Sequence, residues 1–277
     1  MNTRQATRPA TRSGCAETSR RAPPEFSYHS LSFNGVDQYV DCGDPIITGT
    51  GDFTYSAWVK PNAVDGDIGG NYGTGNTGGV QFFYQSTGKF TVYIGAFVES
   101  SAYTVVDKWY HVAYTRASGS VTIYVNGVAD GTGTLSGSIA GGHDLLIGVQ
   151  TDSNYFDGDI DEVAIWDSAL DADAVTAVYN SGAPNNLNQD NGDYTNSGDL
   201  QGWWRMGEGN DPGYYLISDA SGNGNDGTTQ NEPAWSNDTP QRWPQNFSYY
   251  GLEFDGVDQY ATSSADDTLA SKSYSFW

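Results

Sequence analysis

Trp109–Val128 reads WYHVAYTRASGSVTIYVNGV. β-Branched and aromatic residues dominate it, and in Val121–Asn126 the side chains of Val121, Ile123 and Val125 recur every second position. That period of two is the signature of a half-buried strand, since successive strand side chains point to opposite faces. Trp109–Arg116 and Val121–Asn126 therefore read as a hairpin through Ala117–Ser120, and Asn126-Gly127 supplies the positive-φ pair of a further tight turn. Outward from this hairpin the pattern repeats. Leu31 and Phe33 mark a first strand, Phe53, Tyr55, Ala57 and Val59 a second that ends at Pro61, and Val80–Gln85 and Lys89–Gly95 a hairpin around Ser86-Thr87-Gly88. Leu145–Gly148, Ile160–Trp166 and Leu200–Met206 complete the series. Many short strands separated by turn residues predict an all-β chain, a sandwich of two antiparallel sheets. One helix interrupts it: Asp171 is placed to cap, Val175, Val178 and Tyr179 have helical spacing, and Gly182 before Pro184 can end it. Its expected place is over one open end of the sandwich.

The chain also repeats itself. Phe26–Val40 (FSYHSLSFNGVDQYV) matches Phe247–Ala261 (FSYYGLEFDGVDQYA) at ten of fifteen positions, and TYSAW at Thr54–Trp58 matches SYSFW at Ser273–Trp277. The sequence thus divides into a basic tail at 1–25, one whole module at 26–210, an Asn/Gly-rich linker at 211–246, and the start of a second, incomplete module at 247–277, as expected for a piece of a longer tandem-module protein.

Charge narrows the partners. The net charge is −22, yet residues 1–25 hold five Arg against two Glu, so the remainder nets about −25. Phosphate binding rests on Lys and Arg, so a body this acidic excludes nucleic acid. No apolar run is long enough to span a bilayer, so no membrane insertion is expected. The Arg-, Thr- and Pro-rich start has no apolar core of a secretory signal and reads as disordered. Cys15 and Cys42 make no disulfide framework.

WYHVAYTRASGSVTIYVNGV, then LLIG, then FDGDIDEVAIWDSALDADAVTAVYNSG, in that order, resemble the laminin G-like and pentraxin-like domains. The resemblance covers nearly all of Ser30–Gly207 and implies a concanavalin A-like jelly roll. WWRMGEG followed by DASGNGNDG resembles the lead-in between tandem modules of surface and virion proteins. Its implied context is extracellular, at a cell or virion surface.

Candidate site residues follow. Asp161 shares strand parity with Val163 and Ile165, so it is expected to face inward, where an ionised carboxylate needs a cation or several donors. Ca²⁺ takes such oxygen ligands, and the resemblance implies a structural ion at Asp161 with further ligands around Asn34 and Asp37. The loop Gly148–Asn154 places Gln150, Asp152 and Asn154 where pentraxins hold calcium, although it is shorter and less acidic. Trp58, Tyr110, Tyr114 and Tyr124 are assigned to the strand face opposite Tyr55, Val112 and Ile123, as a platform for sugar rings with Asn71 and Tyr72 at its rim. Catalytic residues are not expected. Asp159 and Asp161 share a face, but Glu162 points to the opposite one and no Glu-x-Asp-x-x-Glu pattern occurs in the sequence. His29, His111 and His143 are scattered, and Ala129–Gly133 reads as a turn. The sequence-level reading is a non-catalytic, lectin-like module that recognises glycans or another surface ligand. The alternatives are a purely structural decoration module and, last, an accessory part of a glycoside hydrolase.

Overall fold

The computed structural model describes residues 27–72, 78–150, 154–207 and 215–240. In chain order the strands are β1 (Ser30–Asn34), β2 (Tyr39–Asp41), β3 (Phe53–Pro61), β4 (Gly66–Gly70), β5 (Gln81–Tyr84) and β6 (Phe90–Tyr93). Next come β7 (Phe97–Glu99), β8 (Tyr110–Ala117), β9 (Ser120–Val125), β10 (Val128–Thr134), β11 (Leu146–Ile147) and β12 (Asp157–Trp166). After helix α1 (Ala172–Tyr179) follow β13 (Leu200–Trp204), β14 (Leu216–Ile217), β15 (Gly227–Gln230) and β16 (Ala234–Ser236).

Two antiparallel sheets result. The first runs β10-β9-β8-β3-β12-β1-β16, with β13 also paired to β12; the second runs β14-β15-β2-β11-β4-β5-β6-β7. Inward side chains of both interdigitate, among them Leu31, Tyr55, Val59, Phe82, Tyr84, Val112, Ile123, Ile160, Ile165 and Trp204, all fully buried. Tyr55 stacks on Phe82 across the sheets at 4.1 Å between centroids. The expected jelly-roll sandwich is therefore the observed one.

The ten-residue β12 organises the first sheet. One edge pairs with β3 along its length, and the other is shared end to end by β1, opposite Asp157–Ile160, and β13, opposite Val163–Trp166. At the seam the strand bulges. Asp161 faces Trp58 and Ala164 faces Ser56, so Glu162 and Val163 together oppose Ala57, with Glu162 at φ 50°. One extra residue inverts parity locally. This overturns the inward assignment of Asp161: Ile160, Val163 and Ile165 face the core, while Asp161 and Glu162 both lie on the outer face, buried at 0% and 4% exposure. Ser27 Oγ, just before β1, donates to Asp161 Oδ2. Arg205, just after β13, pairs with Glu162 through Nη2 at 2.9 Å and Nε at 3.1 Å, and Trp203 Nε1 donates to the same carboxylate at 2.7 Å.

The outer face of the first sheet is covered. Ala113, Tyr124, Ala164, Trp166 and Trp203 pack against Ala174, Val175 and Val178 of α1 and against Leu170, Leu187 and Tyr194. Asp171 caps the helix by accepting from Ala174 N at 2.9 Å, as expected. Its end is Asn180 at φ 48°, not Gly182, and it covers a sheet face rather than an open end. Ala129–Gly133 likewise lies within β10 instead of forming a turn.

The linker reading also needs correcting. Residues 215–240 add β14 and β15 to one sheet and β16 to the other. Their Asn/Gly/Asp composition suggested a loop, but the Asp219 carboxylate accepts from the backbone N–H of Trp203, Ser221 and Asn225 at 2.9, 2.9 and 3.0 Å and folds the run into an ordered turn. Asp238 then accepts from Lys60 Nζ at 2.9 Å and Trp109 Nε1 at 3.1 Å, fixing the strand end to the body. Cys42 is a buried free thiol, and the repeat at 247–277 and the tail at 1–25 lie outside the described residues.

Glu162→Ala should lower the unfolding free energy by about 3 kcal/mol, the cost of breaking a buried ion pair. Urea denaturation checks this; a midpoint unchanged from wild type would show that the seam does not depend on the pair.

Candidate functional site

The second sheet presents an outer face that α1 does not cover. Phe82, Tyr84, Phe90, Val92 and Val98 point into the core, so alternation turns Gln81, Phe83, Thr91, Tyr93, Phe97 and Glu99 outward. Register aligns them in two rows: Gln81 beside Tyr93 beside Phe97, and Asp67 beside Phe83 beside Thr91 beside Glu99. A chain of rings crosses these rows. Tyr72 meets Tyr93 edge-on at 5.4 Å, Tyr93 meets Phe97 at 4.7 Å, and Phe97 meets Phe83 at 6.0 Å. Phe97, on the edge strand β7, is 60% exposed.

Polar groups border the rings. Gln81 Nε2 donates to Asp67 Oδ1 at 2.7 Å, Gln85 Nε2 to Glu99 Oε1 at 2.9 Å, and Gln150 Nε2 to the Tyr72 carbonyl at 3.2 Å. The loop after β11 folds back across β4: Gly148 N donates to the Ile68 carbonyl, Asp67 N to the Asn154 carbonyl, and Gln150 reaches Tyr72 beyond the strand end. Asp67 is consequently fully buried, and its Oδ2 has no hydrogen-bond partner. Burial raises its pKa to about 7, opposed by hydrogen bonds from Gln81 and Asn154.

Of the sequence-derived ligand residues, Tyr72 alone lies in this ring chain. Tyr110 and Tyr114 are an even number of positions from Val112 and share its inward face, which corrects their assignment: Tyr114 is core, and Tyr110 packs on Phe90 at 5.7 Å. Trp58 and Tyr124 do face outward, but on the covered sheet. Trp58 stacks on Tyr179 at 5.7 Å, and Tyr124 lies in the cluster around α1. Asn71 is buried and structural, donating to the Ile47 carbonyl at 3.1 Å and accepting from Val80 N at 3.0 Å.

The calcium ligands separate in the same way. Asn34 pairs with Asp157, four positions from Asp161 along β12; at strand rise that is about 13 Å. Asn34 and Asp37 instead bond each other, Nδ2 to Oδ1 at 2.9 Å, in the turn after β1. The expected trio is therefore not one site. Asn154 lies against Asp67, which the sequence reading missed, whereas Gln150 bonds the Tyr72 carbonyl beyond the end of β4 and Asp152 lies outside the described residues. The free Asp67 oxygen suits a hard cation, but Ca²⁺ takes six to eight oxygens, and among the described residues no three acidic, His or Cys side chains converge on such a site. Asp159 lies 3.7 Å from Lys60 Nζ and near Asp238, remote from the ring chain, and Glu162 shares the outer face with Asp161 through the bulge instead of opposing it.

The sequence profile described as the concanavalin A-like lectin/glucanases superfamily matches residues 34–176, half of the chain. The chain belongs to this superfamily. Among solved structures, it superposes on a Bacteroides ovatus protein, to which carbohydrate binding is provisionally ascribed, with TM-score 0.59 and 20% identity. The match covers 76% of this chain and 60% of that one, so the chain spans about three fifths of that protein's length. Domain 4 of an extracellular arabinanase from Geobacillus stearothermophilus, solved with arabinotriose, matches at TM-score 0.47 and 20% identity over 54% of this chain and 76% of that one. A heptameric pentraxin from Limulus polyphemus matches at TM-score 0.45 and 18% identity over 55% and 81%. These likenesses are of fold. No curated protein matches the sequence.

The raised Asp67 pKa has a direction for stability. From the ordinary carboxylate value to about 7, the unfolded chain releases this proton and the folded chain keeps it, so stability falls as pH rises, by at most about 1.4 kcal/mol per pH unit. Asp67→Asn should remove this contribution: its stability relative to wild type should grow from pH 4.5 to 7 and then level off. Urea titrations across that range measure it, and parallel profiles would contradict it.

Proposed function

We propose that the chain is a non-catalytic glycan-binding module of a surface-exposed protein, with its site on the outer face of β5, β6 and β7. The observation that carries this reading is the ring chain Tyr72–Tyr93–Phe97, half-buried at the first two rings and exposed at the third, backed by the buried Phe83 and bordered by Gln81 and Gln150. Sugar rings have an apolar face that stacks on aromatics and an equatorial fringe of hydroxyls that needs hydrogen bonds. A rigid aromatic strip with amides alongside offers both at low entropic cost, since strands hold the rings in place before binding. The superfamily to which the chain belongs supports the reading.

A glycan array followed by calorimetric titration of the best ligand tests it. Phe97→Ala and Tyr93→Ala should each weaken binding about tenfold, a loss of about 1.4 kcal/mol. Val128→Ala, exposed on β10 of the other sheet, should leave it unchanged. Runs with and without chelator separate a calcium contribution at Asp67 and Asn154 from the aromatic one. Absence of binding to every glycan would overturn the proposal in favour of a structural module.

A further inference from the structure

A second exposed ring stands on the same side of the sheet as the ring chain. Among the described residues three aromatic rings are more than half exposed, those of Phe97, Tyr103 and Tyr215, and the first two lie along the hairpin of β5 and β6. Gln85 N donates to the Lys89 carbonyl at 2.9 Å, which keeps Gln85 and Lys89 in register with the outward pairs Gln81–Tyr93 and Phe83–Thr91. Lys89 therefore lies on the outer face, four residues or about 13 Å of strand from Tyr93. Its Nζ reaches Glu99 at 3.5 Å and the Tyr103 ring at 5.1 Å, and Gln85 Nε2 meets the same carboxylate at 2.9 Å. The loop that carries Tyr103 is tied down. Thr104 N and Oγ1 both donate to the Gly88 carbonyl, at 2.8 and 2.9 Å, and Val105 N donates to the Tyr110 hydroxyl at 3.1 Å. With Lys89 over one face of the Tyr103 ring, its 73% exposure leaves the other face open.

Building on the glycan-binding reading, we infer that Tyr103 is a second stacking station of the same site, so that this face takes a linear oligosaccharide lengthwise along β6 and not a single terminal sugar. One end of the ligand stacks against Tyr93 and Phe97, its middle crosses the Gln85–Glu99–Lys89 bridge, and its other end stacks on Tyr103. The bridge suits that middle. The Lys89 ammonium has donors beyond its contact with Glu99, and the Glu99 side chain, 42% exposed, accepts from sugar hydroxyls with charge assistance. Two stations on one rigid face act as linked modules: a chain stacked on the first presents its remaining units to the second at high effective concentration. Affinity should therefore climb with chain length until both stations are covered, and a ligand too short to reach past Lys89 gains nothing from Tyr103. The acidic body, at −22 overall, opposes polyanions at long range, so neutral chains are the expected class.

Calorimetric titration of the full chain with two-unit and six-unit oligomers of linear β-glucan, xylan and mannan tests this. In at least one series the six-unit oligomer should bind at least 30-fold more tightly than the two-unit one. Tyr103→Ala should weaken the six-unit oligomer about tenfold and leave the two-unit affinity unchanged, whereas Phe97→Ala should weaken both. Equal affinities for the two lengths, or a length ratio that Tyr103→Ala leaves intact, would overturn the inference while leaving the glycan-binding reading standing. Binding to none of these oligomers, with other glycans bound on the array, would overturn it too. The same failure alongside a blank array would remove the reading on which it rests.

Discussion

One inserted residue in β12 shapes the first sheet. Where β13 ends and β1 begins along the same edge, the strand must serve two partners, and the bulge at Glu162 absorbs the mismatch. It also turns two carboxylates in succession onto one face, where Ser27 and Arg205 meet them from the two abutting strands. Carboxylates buried together demand such partners, because desolvating an unpaired charge costs several kcal/mol. The seam therefore ties together segments near opposite ends of the module. It also keeps the charge-rich part of β12 on the covered side of the molecule, away from the aromatic face.

That division explains why the two sheets have different surfaces. The first sheet's outer face is closed by α1 and the segment that follows it, and its aromatics, Trp58, Trp166, Trp203 and Tyr124, are used for packing. Among the described residues no helix lies over β5 to β7, and Phe97 is exposed and Tyr93 half-buried there, while Phe83 is buried behind them. A ring such as Phe97 contributes nothing to the core from that position. Its place on the edge strand β7, tilted against Tyr93, makes sense as a binding surface rather than as a packing element.

Much of the fold was legible in the residues. Alternation in Val121–Val125, the Asn126-Gly127 turn and the Asp171 cap each act through neighbours in sequence, so local chemistry revealed them. Three things were hidden. The bulge at Glu162 is a product of pairing with β3 and inverts the parity that placed Asp161 inward. The run from Ala220 to Gly227 looks like a loop by composition, yet Asp219 gathers its amide groups into an ordered turn. The site itself was obscured because Gln81–Tyr84 and Phe90–Tyr93 carry aromatics on both faces, so periodicity says where the strand is but not which side meets solvent. Tyr110 and Tyr114 were separable by counting from Val112, and that signal was present all along.

The most direct test of the central claim is to map the contact surface by backbone amide NMR shifts while a neutral oligosaccharide is added to the full chain. Saturable shifts concentrated at Tyr72, Gln81–Gln85 and Thr91–Glu99, with signals from α1 and β9 unmoved, are the expected result. Shifts centred instead on Trp58, Tyr124 and α1 would place the ligand on the other sheet and contradict the account.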